Sequence, residues 1–460
     1  MSATVYQPEL LYAEGQLRRG ASLCVTGEGK VQTRIPTGAR VIELPGTLLM
    51  PGLVNAHSHA FQRVIRSRTE FIAQGHQADD FWSWRESMYA AASSLTPEDL
   101  FVVSRQAFLE MARAGITTVG EFHYLHHQSD GTPYEDPSLL ARQVLRAARE
   151  VGLRIVLLRV AYARAGFQVE PNPRQRRFID PDVDSYLERV AQLRSVAVGD
   201  DELVSVGLAP HSVRAVPRAW LEAIGKAAPN EVMHLHVAEQ SAEVEACLAE
   251  TRLRPVELLE ACGLLHPLTT AVHAVHLNEG EIATLARRQV TVCACPSTER
   301  NLGDGVVPAD ALSSAGVALS LGSDSQAQID LLDEARQLEG HLRLVRLRRN
   351  VLDAKTGAVD NLGRRLLECA TVNGAKSLGL TSGTLAHGTD ADFLTVNLTH
   401  PSVLGVPDEA LLSAVAFSAT SEAIQDVAVQ GKFIVTRRSH ALEDESARAF
   451  TAVMKRLSRA

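Results

Sequence analysis

From about residue 50 to residue 325, short apolar runs alternate with stretches in which apolar positions recur every three to four residues. Eight of the runs read as strands: 53–55, 116–122, 154–160, 203–209, 232–237, 270–274, 290–295 and 317–322. The amphipathic stretches 98–113, 139–151, 185–196, 217–228 and 279–288 read as helices between them. Strand–helix alternation sustained this long predicts an α/β fold with a parallel sheet and helical crossovers, and eight repeats predict a closed (β/α)8, TIM-like barrel. An open, doubly wound sheet is disfavoured, because no GxGxxG follows the first run.

The flanks carry a different pattern. Residues 1–50 hold short β-like pieces at 23–26, 41–44 and 47–50 between glycine-rich turns, and residues 383–440 repeat that character at 392–397, 414–418 and 427–436. Neither block is large enough to fold well alone, so the two are expected to pack as one small β-sandwich beside the barrel. Helices are predicted over 331–349 and 361–378. The expected division is a composite sandwich from 1–50 and 383–440, a metal-dependent barrel domain over 51–382, and a C-terminal helix over 441–460.

Composition narrows the function class. The 460 residues are 45% hydrophobic and 22% charged, which supports an ordinary core, and the net charge of −8 argues against a nucleic-acid binder. Six scattered cysteines without a CxxC pair predict reduced thiols of a cytoplasmic protein. No run approaches the roughly 18 apolar residues of a membrane span, and the N-terminus shows no secretory pattern. A protein without membrane association is expected.

In a barrel of this kind the reactive face lies where the strands end. The first run ends in Asn55-Ala56-His57-Ser58-His59, the second in Glu121-Phe122-His123-Tyr124, and the fourth in Pro210-His211-Ser212-Val213-Arg214. The fifth carries His234, His236 and then Glu239, the sixth His273 and His276, and the eighth ends in Gly322-Ser323-Asp324. His57 and His59, spaced i, i+2, point to the same side of a strand, so two imidazoles can bind one ion. His236 and Asp324 offer a third nitrogen and a carboxylate oxygen, although His234 shares the face of His236 and is an alternative. Nitrogen and oxygen donors of this kind suit Zn²⁺, with Fe²⁺ or Mn²⁺ also able to occupy the site. Asn55 and Ser58 are placed to orient the imidazoles. None of the six lysines lies at a strand end, where a carboxylated lysine would bridge two metals, so one ion per chain is expected.

Together, the stretch Pro51-Gly52-Leu53-Val54-Asn55-Ala56-His57-Ser58-His59, the His236/Glu239 pair, His273 and Ser323-Asp324 resemble the amidohydrolase superfamily in its mononuclear deaminase branch. More specific stretches, Phe81-Trp82-Ser83-Trp84-Arg85-Glu86, Glu121-Phe122-His123-Tyr124-Leu125-His126-His127 and Thr298-Glu299-Arg300-Asn301-Leu302-Gly303-Asp304-Gly305, look like the formimidoylglutamate deiminase family. The resemblance implies hydrolysis of N-formimino-L-glutamate to N-formyl-L-glutamate and ammonia in histidine degradation. It implies that His57, His59, His236 and Asp324 bind Zn²⁺ and that Glu239 and His273 are catalytic. It also implies that Gln62, Arg85, Tyr124, His211 and Arg214 line the substrate pocket, and that the protein is a homodimer. The least family-like stretch is 326–350, which bears on the pocket rim.

The residues support a compatible chemistry on their own terms. Asp324 is placed to accept a proton from attacking water, Glu239 to carry one to the leaving nitrogen, and His273 to hydrogen-bond the new oxygen. A substrate with two carboxylates needs fixed cations, and Arg85, in a presumed aromatic loop, and Arg214 can supply guanidinium forks. Two readings compete with this one. A mononuclear-zinc deaminase of a nucleobase would use the same metal centre, with Phe61, Trp82 and Trp84 as stacking surfaces. A barrel that had lost its chemistry would lack some metal or acid groups, yet all six are present.

Overall fold

The computed structural model describes residues 3–72, 81–170, 172–197, 202–353 and 357–458. All eight predicted runs are strands of one parallel sheet: Leu53–Ser58, Ile116–His123, Arg154–Ala161, Val204–Pro210, Met233–Val237, Thr269–His273, Thr291–Ala294 and Ala318–Leu321. Neighbours pair in chain order, and a parallel bridge between Ser58 and Asp324 brings the eighth strand's end back to the first. The barrel is nearly closed, with helices between its strands. Its strands are buried at almost every position, because a parallel sheet is covered on both faces, and this is why they read as apolar runs. Gly322 closes the ring. A Cβ there would lie 2.8 Å from both Cβ and O of His57, so a side chain would push the eighth strand off the first.

The two ends of the chain join in a separate mixed sheet of eight strands. The long strand Arg40–Pro51 pairs in parallel with Thr4–Ala13 on one edge and antiparallel with Phe393–Asn397 on the other. N- and C-terminal segments therefore meet edge to edge, over a core that includes Tyr6, Leu49 and Phe393. The pieces 41–44 and 47–50 are parts of this one strand, and 427–436 is the hairpin of Ile424–Val429 and Lys432–Val435. Residues 414–418, expected as a strand, lie largely within the helix Leu411–Phe417. A short apolar run does not distinguish a buried strand from a buried helix by periodicity. The helix expected over 361–378 is broken into Asn361–Cys369 and Val372–Ser377. At the break, the Thr371 hydroxyl donates to the Leu367 carbonyl at 2.7 Å, competing with the helical ladder. The C-terminal helix runs Glu443–Leu457.

Two buried charges fasten this frame. Arg154, at the start of the third barrel strand, reaches Asp392 at 3.0 Å and Asp390 at 3.2 Å across to the terminal sheet. It also donates to the Glu202 carbonyl at 3.0 Å. Within the helix Leu331–Arg346, Glu334 accepts the Ser297 N–H at 2.8 Å, at the start of the short helix Pro296–Leu302. Burial pushes the Glu334 carboxyl up to about 8 from an ordinary 4.5.

Removing Arg154 strands the buried Asp392 carboxylate and leaves Asp390 paired with Lys30. Arg154→Ala is therefore expected to cost about 3 kcal/mol or more of stability, read as a lower urea midpoint at unchanged slope. Glu334 takes up a proton on folding between its unfolded and folded pKa values. Its contribution is thus unfavourable above the folded value and fades below the unfolded one. Glu334→Gln should accordingly melt above the parent at about pH 9 and lose that advantage at about pH 5. An equal offset at both pH values would contradict this reading of Glu334.

Candidate active site

The strand ends gather four donors at the barrel mouth. His57 and His59 lie on and just past the first strand, His236 on the fifth, and Asp324 three residues beyond the eighth. The Nε2 atom of His57 is 3.2 Å from Nε2 of both His59 and His236, and 3.3 Å from Oδ1 of Asp324. Nε2 of His59 is 3.1 Å from the same oxygen. The other ring nitrogens fix the tautomers of two of these residues. Nδ1 of His59 faces the Phe122 carbonyl at 2.9 Å and Nδ1 of His236 faces the His211 carbonyl at 3.1 Å. A carbonyl only accepts, so these Nδ1 atoms carry the hydrogens and both Nε2 atoms present lone pairs. Burial holds the His57 imidazole down at about 3 and that of His236 well below its usual range, so both are neutral.

Lone pairs packed this closely repel unless a cation lies among them. All four donor atoms fall within 4.8 Å of one another. Donors about 2.0–2.1 Å from a tetrahedral ion stand roughly 3.3–3.4 Å apart, close to the separations found here. The residues fit one divalent cation. Two other clusters of three, His273/Cys295/Glu299 and Glu239/His273/Asp304, are poorer candidates. Burial raises the Cys295 thiol well above its usual range, so an ion binding there would first have to displace its proton.

The frame beneath the donors is polar and almost fully paired. Ser58 Oγ donates to Glu121 Oε2 at 2.6 Å, and the other Glu121 oxygen accepts the Ala60 N–H at 2.7 Å, holding the turn after the first strand. Asn55 exchanges two hydrogen bonds with Ser323, at 2.7 and 2.9 Å, and Gln326 donates to Ser58 at 2.8 Å. Asn55 and Ser58 were expected to orient the imidazoles, but they join the first strand to the eighth instead, because backbone carbonyls already hold the rings. His234 is excluded from the site: its Nε2 bonds the Ser377 carbonyl at 2.9 Å, deeper in the barrel. His273 and Asp324 adopt left-handed backbone with φ of 67° and 44°, a costly conformation for such residues that recurs at functional strand ends.

His273 joins the donors to the acids. Its Nε2 is 3.5 Å from Glu239 Oε1 and 3.8 Å from Asp324 Oδ2, while Nδ1 is 3.3 Å from Glu299 Oε1. Burial opposes protonation of His273, but Glu239, Glu299 and Asp324 outweigh it and hold the imidazole well above its ordinary range. Glu299 also accepts the Cys295 N–H at 2.8 Å. Sequence reasoning gave Glu121 and Glu299 no role. The available signal for Glu299 was an acid in the first turn after Cys295-Pro296, a strand end followed by a helix-starting proline.

A narrow cavity opens on this cluster, and its wall includes all five expected pocket residues, Gln62, Arg85, Tyr124, His211 and Arg214. Gln62 donates to the Tyr124 hydroxyl at 2.9 Å. Arg85 is not in a loop but on the helix Phe81–Ser94, whose buried Phe81, Met88, Tyr89 and Ala92 recur at helical spacing. Arg85 Nε and Nη1 and Arg214 Nε and Nη1 are buried without a hydrogen-bond acceptor among the described residues. Glu243 stands 3.7 Å from Arg214 and offsets part of its charge. Trp82 lies against both guanidiniums, at 4.5 Å from Arg85 and 5.9 Å from Arg214. Among the described residues, none of 327–350 borders this cavity.

The profile of the amidohydrolase family matches residues 48–434. A formimidoylglutamate deiminase of Pseudomonas aeruginosa is 36% identical over 99% of this chain and 100% of its own length. A 5-methylthioadenosine/S-adenosylhomocysteine deaminase of Halobacterium salinarum is 30% identical over 90% of this chain and 87% of its own. Among solved structures, an amidohydrolase from Brucella melitensis superposes with a TM-score of 0.89 at 33% identity, over 99% of both chains. An adenosine deaminase from Xanthomonas campestris with bound zinc shares the fold, with a TM-score of 0.83 at 24% identity over 100% of this chain and 99% of that one. The eight-stranded barrel, the His-His-His-Asp cluster at its mouth and these matches agree that the chain belongs to the amidohydrolase family.

Proposed function

We propose that this amidohydrolase hydrolyses N-formimino-L-glutamate to N-formyl-L-glutamate and ammonia, a step of histidine degradation. The observation that carries the reading is the pair of guanidiniums, Arg85 and Arg214, with buried N–H groups lacking acceptors among the described residues, in a cavity that also presents His59, His236 and Asp324. Buried donors without acceptors cost free energy that an anionic ligand recovers, and two of them suit a dicarboxylate. A nucleobase could stack on Phe81 or Trp84, which also line the cavity, but it would leave the two guanidiniums without an anion. The relative at 36% identity supports the same substrate.

In this reading His57, His59, His236 and Asp324 hold one Zn²⁺, and Fe²⁺ or Mn²⁺ fits the same donor set. A divalent cation there supplies Lewis-acid activation of water near neutral pH. Asp324 accepts the proton that the attacking water gives up as its oxygen bonds to the formimino carbon. His273, held by Glu299 at Nδ1, directs Nε2 toward Glu239 and Asp324, where it hydrogen-bonds the oxygen of the tetrahedral centre. The terminal nitrogen takes up both protons of the water, one passed on from Asp324 and the one released as the formyl C=O forms, with Glu239 carrying protons to it, and it departs as ammonia when its bond to carbon breaks. Arg85, Arg214, Tyr124 and Gln62 hold the glutamate portion still, and His211 keeps His236 in place through its backbone carbonyl. We further propose that the enzyme works as a cytoplasmic homodimer.

Ammonia release should be seen with N-formimino-L-glutamate, should be lost on chelation and should return with Zn²⁺. Turnover of guanine or adenosine, with none of formiminoglutamate, would overturn the assignment. Asp324→Ala should lower kcat by roughly 10³-fold or more and reduce bound metal measured by plasma mass spectrometry. Arg214→Ala should leave metal content unchanged and raise KM about ten- to hundredfold, the size of a lost charge-assisted hydrogen bond.

A further inference from the structure

Two phenols stand in the same cavity wall as the arginines. Tyr89 lies on the helix Phe81–Ser94 and Tyr162 just beyond the third barrel strand, and they are 1% and 2% exposed. Their hydroxyls are 3.3 Å apart. Gln175, fully buried, donates from Nε2 to both of them at 2.9 Å. Its amide cannot be turned round, because Oε1 is occupied by the Asn172 N–H at 3.1 Å.

The proton count of this triad does not close within the protein. Each phenol oxygen accepts one of the two Gln175 amide hydrogens, and each carries one hydrogen of its own. One of those two hydrogens spans the gap between the hydroxyls. The other has no acceptor among the described residues, and the open side of the pair is the cavity. We propose that Tyr89 and Tyr162, aligned by Gln175, form a carboxylate-binding element that supplies a neutral O–H to one carboxylate of the substrate beside Arg85 and Arg214. Burial, reinforced by Tyr89, holds the Tyr162 phenol well above its usual range, so Tyr162 stays protonated and able to donate. Gln175 comes from the turn at Pro173–Gln175, and neither phenol belongs to the donor cluster, so the element is assigned to substrate binding.

This inference rests on the dicarboxylate reading above, and steady-state kinetics separate the two. The parent enzyme is first assayed on N-formimino-L-glutamate; absence of turnover would remove that reading and this element together. If the parent turns it over, Tyr89→Phe, Tyr162→Phe and the double variant are compared. Either phenol alone can still present its hydrogen to the cavity, so each single variant should stay within about threefold of the parent in kcat/KM. The double variant should raise KM roughly ten- to hundredfold with kcat nearly unchanged, the scale of a hydrogen bond to a charged group. The two monoamides of N-formimino-L-glutamate form the second arm. The penalty should vanish for the monoamide that lacks the carboxylate held by the phenols, and that turnover also shows the double variant to be folded. A double variant within twofold of the parent on the dicarboxylate, or an equal penalty on both monoamides, would overturn the proposal while leaving the reaction assignment intact.

Discussion

Three imidazole nitrogens and a carboxylate oxygen converge within 4.8 Å of one another at the barrel mouth, an arrangement that a single divalent cation suits. Much of the surrounding structure serves to hold it. Backbone carbonyls of Phe122 and His211 fix two rings from behind. Glu121, Ser58, Gln326, Ser323 and Asn55 form a buried hydrogen-bonded chain that ties the first strand to the eighth. Gly322 removes the one side chain that would keep those strands apart. Networks of this kind are stable only when their members are satisfied, which makes the alignment of the four donors a property of the whole barrel end.

The same logic divides the cavity by charge. Carboxylates cluster around His273 and Asp324, where protons must move, and guanidiniums and phenols line the same cavity, where an anion must be held. Glu243 tempers Arg214 without saturating it, since both guanidiniums retain buried N–H groups facing the cavity. Trp82 lies against Arg85, and Phe81 and Trp82 lie against Arg214, giving both cations aromatic neighbours. A site built in this way gains binding energy from the unreactive part of a ligand and spends it on orientation at the reacting carbon.

Much of this was legible in the sequence, for identifiable reasons. The barrel strands are buried on both faces, so they stand out as apolar runs, and polar residues appear where each run stops. The His57/His59 pair follows directly from the two-residue period of a strand. The choice between His234 and His236 did not follow, because both share that period and only depth in the barrel separates them. The strand Thr4–Ala13 was hidden by Pro8, where its register with Arg40–Pro51 shifts. Arg85 read as a loop residue because the aromatic cluster around it masked the helical spacing of Phe81, Met88, Tyr89 and Ala92. The Tyr89–Tyr162–Gln175 contacts join three separate segments, and no local pattern encodes them.

X-ray absorption at the K-edge of the metal carried by the purified protein addresses the shared cation most directly. The expected result is one ion per chain with a coordination shell of nitrogen and oxygen alone at about 2.0–2.2 Å. A sulfur scatterer at about 2.3 Å would place the ion with Cys295 in the neighbouring His273/Cys295/Glu299 cluster. That result would contradict the assignment of His57, His59, His236 and Asp324.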